Sequence, residues 1–96
     1  MSYERIVYCS TPGCREAAAY KVAAPWSDRR FSELKTYGFA CHDHLADVLR
    51  DAETRWLDYD PASGETVQEI GIFHFVPGSG DRKLVRDRDL ERSLRA

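Results

Sequence analysis

Ninety-six residues, 43% hydrophobic and 31% charged, make one soluble globular domain and exclude wholesale disorder. A net charge of -2 argues against bulk electrostatic binding to nucleic acid or anionic lipid, and no apolar run approaches the roughly 20 residues of a membrane span. The opening Met1-Ser2-Tyr3-Glu4-Arg5 lacks the basic-then-apolar pattern of a signal peptide, so the expected location is cytoplasmic. A core this small gains from a covalent or metal staple.

Ile6-Val7-Tyr8 reads as a short strand running into Cys9. Cys9 and Cys14 bracket Ser10-Thr11-Pro12-Gly13, whose Pro-Gly pair is a turn signal. Ala17 to Ala24 alternates, with Ala18, Tyr20, Val22 and Ala24 on one face and Lys21 on the other. Pro25 to Arg30 has loop chemistry, and Phe31 to Phe39 returns as a second strand. From Cys41 the period changes. Leu45, Val48, Leu49, Ala52 and Trp56 form one helical stripe, with Asp43, Asp47, Asp51 and Asp58 opposite, which predicts a helix from about 42 to 58. Asp60 to Gly64 stops it.

Thr66 to Val76 predicts a strand with Ile70, Ile72, His74 and Val76 on one face and Phe73 and Phe75 on the other. One helix covers only one face of a small sheet. The second face therefore calls for the tail around Leu90 and Leu94, or for a second copy of the chain. Pro77 to Gly80 is a turn, and Asp87 is a candidate N-cap for a short terminal helix. The whole is an α+β chain: a metal-binding module over 1–60 and a strand with a charged extension over 61–96, packed as a single domain.

Two close pairs of soft ligands point to one structural Zn2+. Cys9 and Cys14 form C-x4-C, and Cys41 and His44 form C-x2-H, 26 residues further on. An odd cysteine count argues against a disulfide between Cys9 and Cys14. Cys41 and His44 at i, i+3 share one face at a helix start, although His42 with His44 would also complete the shell. His74 stands alone and reads as a core or surface histidine.

The order of knuckle, β-hairpin and a helix carrying Cys41 and His44 in its first turn resembles a treble-clef zinc finger over residues 6 to 58. The resemblance implies a structural zinc held by Cys9, Cys14, Cys41 and His44, and it implies no particular function. The chain holds no catalytic motif: Ser79 between Gly78 and Gly80 lacks the surrounding elbow, and a four-ligand site leaves zinc no open position. It is thus expected not to be an enzyme and to have no small-molecule substrate.

The expected role is protein interaction, or self-association, on the strength of an excess of aromatic residues: Trp26, Phe31, Trp56, Phe73 and Phe75. The alternative is nucleic-acid binding by a hairpin tip carrying Trp26, Arg29 and Arg30. Charge is uneven in a way that bears on both. Residues 15–38 carry five basic against three acidic residues, whereas 42–70 carry eight acidic against Arg50 and Arg55. An acidic helix would repel a duplex lying along it.

Overall fold

The computed structural model describes residues 6–95; the opening Met1–Arg5 segment and Ala96 lie outside the described residues. Five antiparallel strands and two helices form a mixed α and β fold in a single sheet. The strands are β1 (Tyr20–Ser27), β2 (Ser32–Ala40), β3 (Thr66–Val67), β4 (Gly71–His74) and β5 (Val85–Arg86). The helices are α1 (Leu45–Leu57) and α2 (Arg88–Arg95). Strand order is β2-β1-β4-β5, with β3 also paired to β1. β1 is the axis of the sheet, which is why Val22, Ala23 and Ala24 are fully buried.

The expected first strand is reduced to one bridge, Tyr8 to Ala17, because the chain turns at once into the cysteine loop. β1 runs three residues past its expected end, through Pro25 and Trp26. A proline is tolerated there for a specific reason. The Pro25 carbonyl accepts from Gln68 N–H, so its missing donor would have pointed toward β3 and β4. There the partner chain slips by one residue between Ala23↔Gly71 and Trp26↔Val67. The Gln68 carbonyl, left without its ladder donor, accepts instead from the Trp56 indole N–H at 3.0 Å. The same slip splits the expected Thr66–Val76 strand into β3 and β4.

The hairpin turns at Asp28–Phe31, where Asp28 N–H bonds the Phe31 carbonyl. Asp28 Oδ1 accepts from the N–H groups of Arg30 and Phe31. Those two bonds hold the Asp28 carboxyl below the usual carboxylate range. α1 starts at Leu45, three residues later than expected, because residues 42–44 form the turn that presents the ligands. Its stripe Leu45, Val48, Leu49 and Ala52 is buried against Val22, Ala24, Ile70 and Ile72.

The tail holds more structure than its charge density predicts. A 3-10 turn at Asp81–Lys83 precedes β5, and Asp87 caps α2 by accepting from Leu90 N–H. Leu90 and Leu94 pack on the α1 side of the core, not on the opposite face as expected. That face is closed by the 81–86 segment instead: Lys21 Nζ donates to Asp81 at 2.6 Å, and the Arg86 guanidinium lies over the Phe73 ring. Phe73 is accordingly buried. β4 is hydrogen-bonded on both sides, to β1 and to β5. It therefore has no free edge at Phe73 and His74.

Candidate metal centre

Cys9, Cys14, Cys41 and His44 converge, with their ligand atoms all within 4.8 Å of one another. Each is placed by local backbone logic. The Cys9 N–H bonds the Glu16 carbonyl, folding the first pair back on the start of β1. The Cys14 N–H closes a turn onto the Thr11 carbonyl, with Pro12 at its second position and Gly13 at φ 82° in the third, a conformation that favours glycine. Ser10 fastens this loop to the end of β2: its N–H donates to the Phe39 carbonyl, and its hydroxyl accepts from Phe39 N–H. Cys41 follows β2 directly, and His44 sits at the N-cap of α1, its carbonyl accepting from Val48 N–H.

The spacings fit a tetrahedral ion. A centre about 2.3 Å from sulfur and about 2.0–2.1 Å from nitrogen implies S···S edges of about 3.8 Å and S···N edges of about 3.6 Å. Three of the six edges are 3.9 Å for Cys14 to Cys41, 3.8 Å for Cys9 to His44 Nδ1 and 3.3 Å for Cys41 to His44 Nδ1, and no edge exceeds 4.8 Å. The cluster could thus hold one metal ion. Cys9 and Cys41 are buried, while Cys14 and His44 are half-buried.

Burial pushes the Cys9 thiol up, but hydrogen bonds from the N–H groups of Cys41 and Thr11 and from the Thr11 hydroxyl outweigh it. Together they bring Cys9 down to about 6. At Cys14 the Glu16 N–H lowers the pKa, yet partial desolvation and the sulfurs of Cys41 and Cys9 more than offset it, and the thiol is raised. Crowded sulfurs compete to ionise; a divalent cation among them removes that conflict and favours all three thiolates.

Among the described residues, His42 is not part of this cluster. Its Nδ1 hydrogen-bonds the Tyr20 hydroxyl at 3.1 Å, and its ring meets Tyr20 edge-on. His74 is exposed, donates to Asp87 at 2.9 Å and also packs on the Tyr20 ring, with centroids 5.3 Å apart. The Tyr20 contacts carry no sequence signal, since they join residues 22 and 54 positions apart. Trp26 is absent from the hairpin tip: its indole donates to Glu65 at 2.5 Å, and Glu65 also accepts from the Tyr59 hydroxyl. Phe31, 68% exposed, stands at the tip beside Arg29 and Arg30.

No helix among the described residues is long and apolar enough to cross a membrane. No family model matches the chain, and no solved structure matches it. A phosphoserine aminotransferase of Burkholderia ambifaria is 34% identical to it over 93 residues, 85% of this chain and 26% of that protein. The chain spans about a quarter of the length of this curated relative, and the likeness assigns it to no family.

Proposed function

We propose that the chain is a cytoplasmic protein-interaction module built around one structural Zn2+. The observation that supports this reading is the convergence of three thiols and one imidazole within 4.8 Å, a donor set suited to zinc. Four protein ligands leave no open position for a substrate or a reactive water, so the metal's role is architectural and the chain is not an enzyme. The ion ties the 9–14 loop to the junction of β2 and α1, the arrangement of a treble clef. Three thiol ligands also suit a reducing compartment.

Structural zinc in small domains contributes about 10–16 kcal/mol of apparent binding energy, against the few kcal/mol expected of a core this size. Elemental analysis should return close to one zinc per chain, and chelation should abolish the helical circular dichroism signal. Full metal retention in a Cys14→Ala, Cys41→Ala double variant refutes the site. An unchanged melt after chelation refutes its structural role.

A second reading rests on the hairpin tip. Arg29, Arg30 and Phe31 are all exposed, so the tip could set an aromatic face beside two cations for a single strand, with Phe31 in the role expected of Trp26. Binding of single-stranded DNA that weakens steeply with salt and is lost in Arg29→Ala, Arg30→Ala favours it. Salt-insensitive or absent binding removes it.

A further inference from the structure

β2 is the last strand on its side of the sheet, and half of its outer edge is already closed. Ser10 bonds both backbone groups of Phe39, and the Arg55 guanidinium donates to the Tyr37 carbonyl. Among the described residues, no hydrogen bond closes the other half, Ser32 to Thr36. Which groups face outward follows from the register. Asp28 N–H bonds the Phe31 carbonyl across the hairpin, so the alternate pairs Trp26↔Glu33 and Ala24↔Lys35 face one another. The intervening pairs Ser27↔Ser32, Pro25↔Leu34 and Ala23↔Thr36 then point apart. The Pro25 carbonyl, turned away from Leu34 toward Gln68, agrees. Ser32, Leu34 and Thr36 thus aim their N–H and C=O groups away from the sheet.

We infer that this edge pairs with the same edge of a second copy, antiparallel about a two-fold axis at Leu34. The inference deepens the interaction-module reading by naming the partner, and it does not depend on the metal. In this register Leu34 faces Leu34 and Ser32 faces Thr36 of the second copy, and the outward groups of all three residues find partners. Glu33 falls opposite Lys35 of the second copy, and Lys35 opposite its Glu33, on the side of the sheet that carries α1. A slip of two residues either way, the smallest that keeps the outward groups paired, sets Glu33 against Glu33 or Lys35 against Lys35. Like charges directly opposite are unfavourable, so charge selects the two-fold register.

The opposite side supplies apolar cover. There Leu34 lies beside Pro25 and Phe73 along a shallow cleft of about 370 Å³, which Leu34 of the second copy would extend. At each end the register brings the exposed Phe31 toward Tyr37 of the second copy, where Arg55 stops the pairing.

Light scattering coupled to size exclusion, with zinc content measured on the same fractions, tests the inference. Wild type should run at twice the chain mass at micromolar concentration. Glu33→Lys and Lys35→Glu should each be monomeric and zinc-bound, and mixing the two should restore a dimer, because opposite charges again face each other. Leu34→Pro removes an outward donor while sparing the ladder to β1, and it should also be a zinc-bound monomer. A monomeric wild type at high micromolar concentration overturns the edge pairing and leaves the zinc reading standing. Dimers that survive Glu33→Lys, or a mixture that stays monomeric, overturn it too. A chain whose fold withstands chelation and still dimerises would refute only the structural zinc.

Discussion

Glu91→Ala is expected to be among the most damaging substitutions outside the metal centre. The Glu91 side chain is 4% exposed, and its partner Arg86 is 15% exposed. Arg86 grips the carboxylate as a fork, Nε to Oε2 at 2.8 Å and Nη2 to Oε1 at 3.0 Å. Oε2 also accepts from the Ile72 N–H at 3.0 Å, satisfying an edge group of β4 beyond the reach of β5. Removing the carboxylate leaves a desolvated guanidinium without its counter-charge, which costs about 3–5 kcal/mol. The orphaned Ile72 N–H is part of that same loss and is not added to it.

A domain this size has a total stability of about 5–15 kcal/mol, so Glu91→Ala consumes a large share of it. At about 4–8 °C per kcal/mol, the melting temperature should fall by at least about 12 °C. Glu91→Gln keeps an acceptor for Ile72 and loses only the charge, so its loss should be nearer 1.5–3 kcal/mol. Burial alone would raise the Glu91 pKa, but hydrogen bonds from Arg86 and Ile72 and the charges of Arg86 and Arg95 lower it. A lowered folded-state pKa means the contribution is fully present above the unfolded value of about 4.3 and is lost as pH falls through the folded one. Wild type should therefore lose stability on acidification below that range, and Glu91→Gln should show a flatter profile. Denaturant unfolding of zinc-loaded protein near neutral pH reads the first effect. The difference between wild type and Glu91→Gln at each acidic pH reads the second, since metal release is common to both. A Glu91→Ala loss under about 1 kcal/mol would refute the buried-pair account.

Gly71→Ala should cost about 1–3 kcal/mol, because its Cβ would stand 2.6 Å from Arg86 Cζ and push the guanidinium off Glu91. In a Glu91→Ala background the added cost should shrink; full additivity would show that the two sites act independently. Trp56→Phe removes the donor to the Gln68 carbonyl and should cost about 1 kcal/mol by thermal unfolding. Adding Pro25→Ala, which supplies Gln68 with a backbone donor, should recover part of that loss, and no recovery would reject the substitution of one donor for the other. A 1–60 truncation should still bind zinc but aggregate and lose a cooperative melt, since it bares the β1 groups that pair with β4. A soluble, cooperatively melting 1–60 chain would show that the metal-binding half folds alone.

The convergence of Cys9, Cys14, Cys41 and His44 is legible in the sequence because each close pair carries its own signal. Cys9 with Cys14 and Cys41 with His44 need no knowledge of the fold to be grouped. α1 and the hairpin were legible from period alone, since their buried stripes face one core. Pattern failed where burial contradicts residue type. Lys21, read as an outward residue, is 8% exposed because the sheet has a second covered face. Nothing in the pattern of the charged extension marks Glu91 for burial, yet it is buried by a guanidinium five residues away and a backbone N–H nineteen residues away. Pro25 reads as a loop residue and lies in β1, because the sequence does not reveal which way its missing donor points. The break between β3 and β4 was hidden for the same reason: alternation records faces, not hydrogen-bond register.

These features share a cause, which is that both segments of the chain build one sheet. The segment 6–58 looks self-sufficient in sequence because it holds every metal ligand and an amphipathic helix. In the fold, however, its central strand has two sides. β2 occupies one, and the backbone groups of Lys21 and Ala23 on the other are satisfied only by β4. The core under α1 likewise includes Ile70 and Ile72, both fully buried and both from the second segment. The tail must therefore do more than cover a finished module. It supplies the missing strands and then anchors them from outside, with Arg86 and Arg95 both donating to the Ile70 carbonyl. The cluster of Cys9, Cys14, Cys41 and His44 joins the entry to β1 to the exit from β2, and the Arg86–Glu91 pair fixes the far side of β4. A marginal core thus has a polar tie on each flank of its sheet, while among the described residues the edge of β2 from Ser32 to Thr36 has no backbone partner.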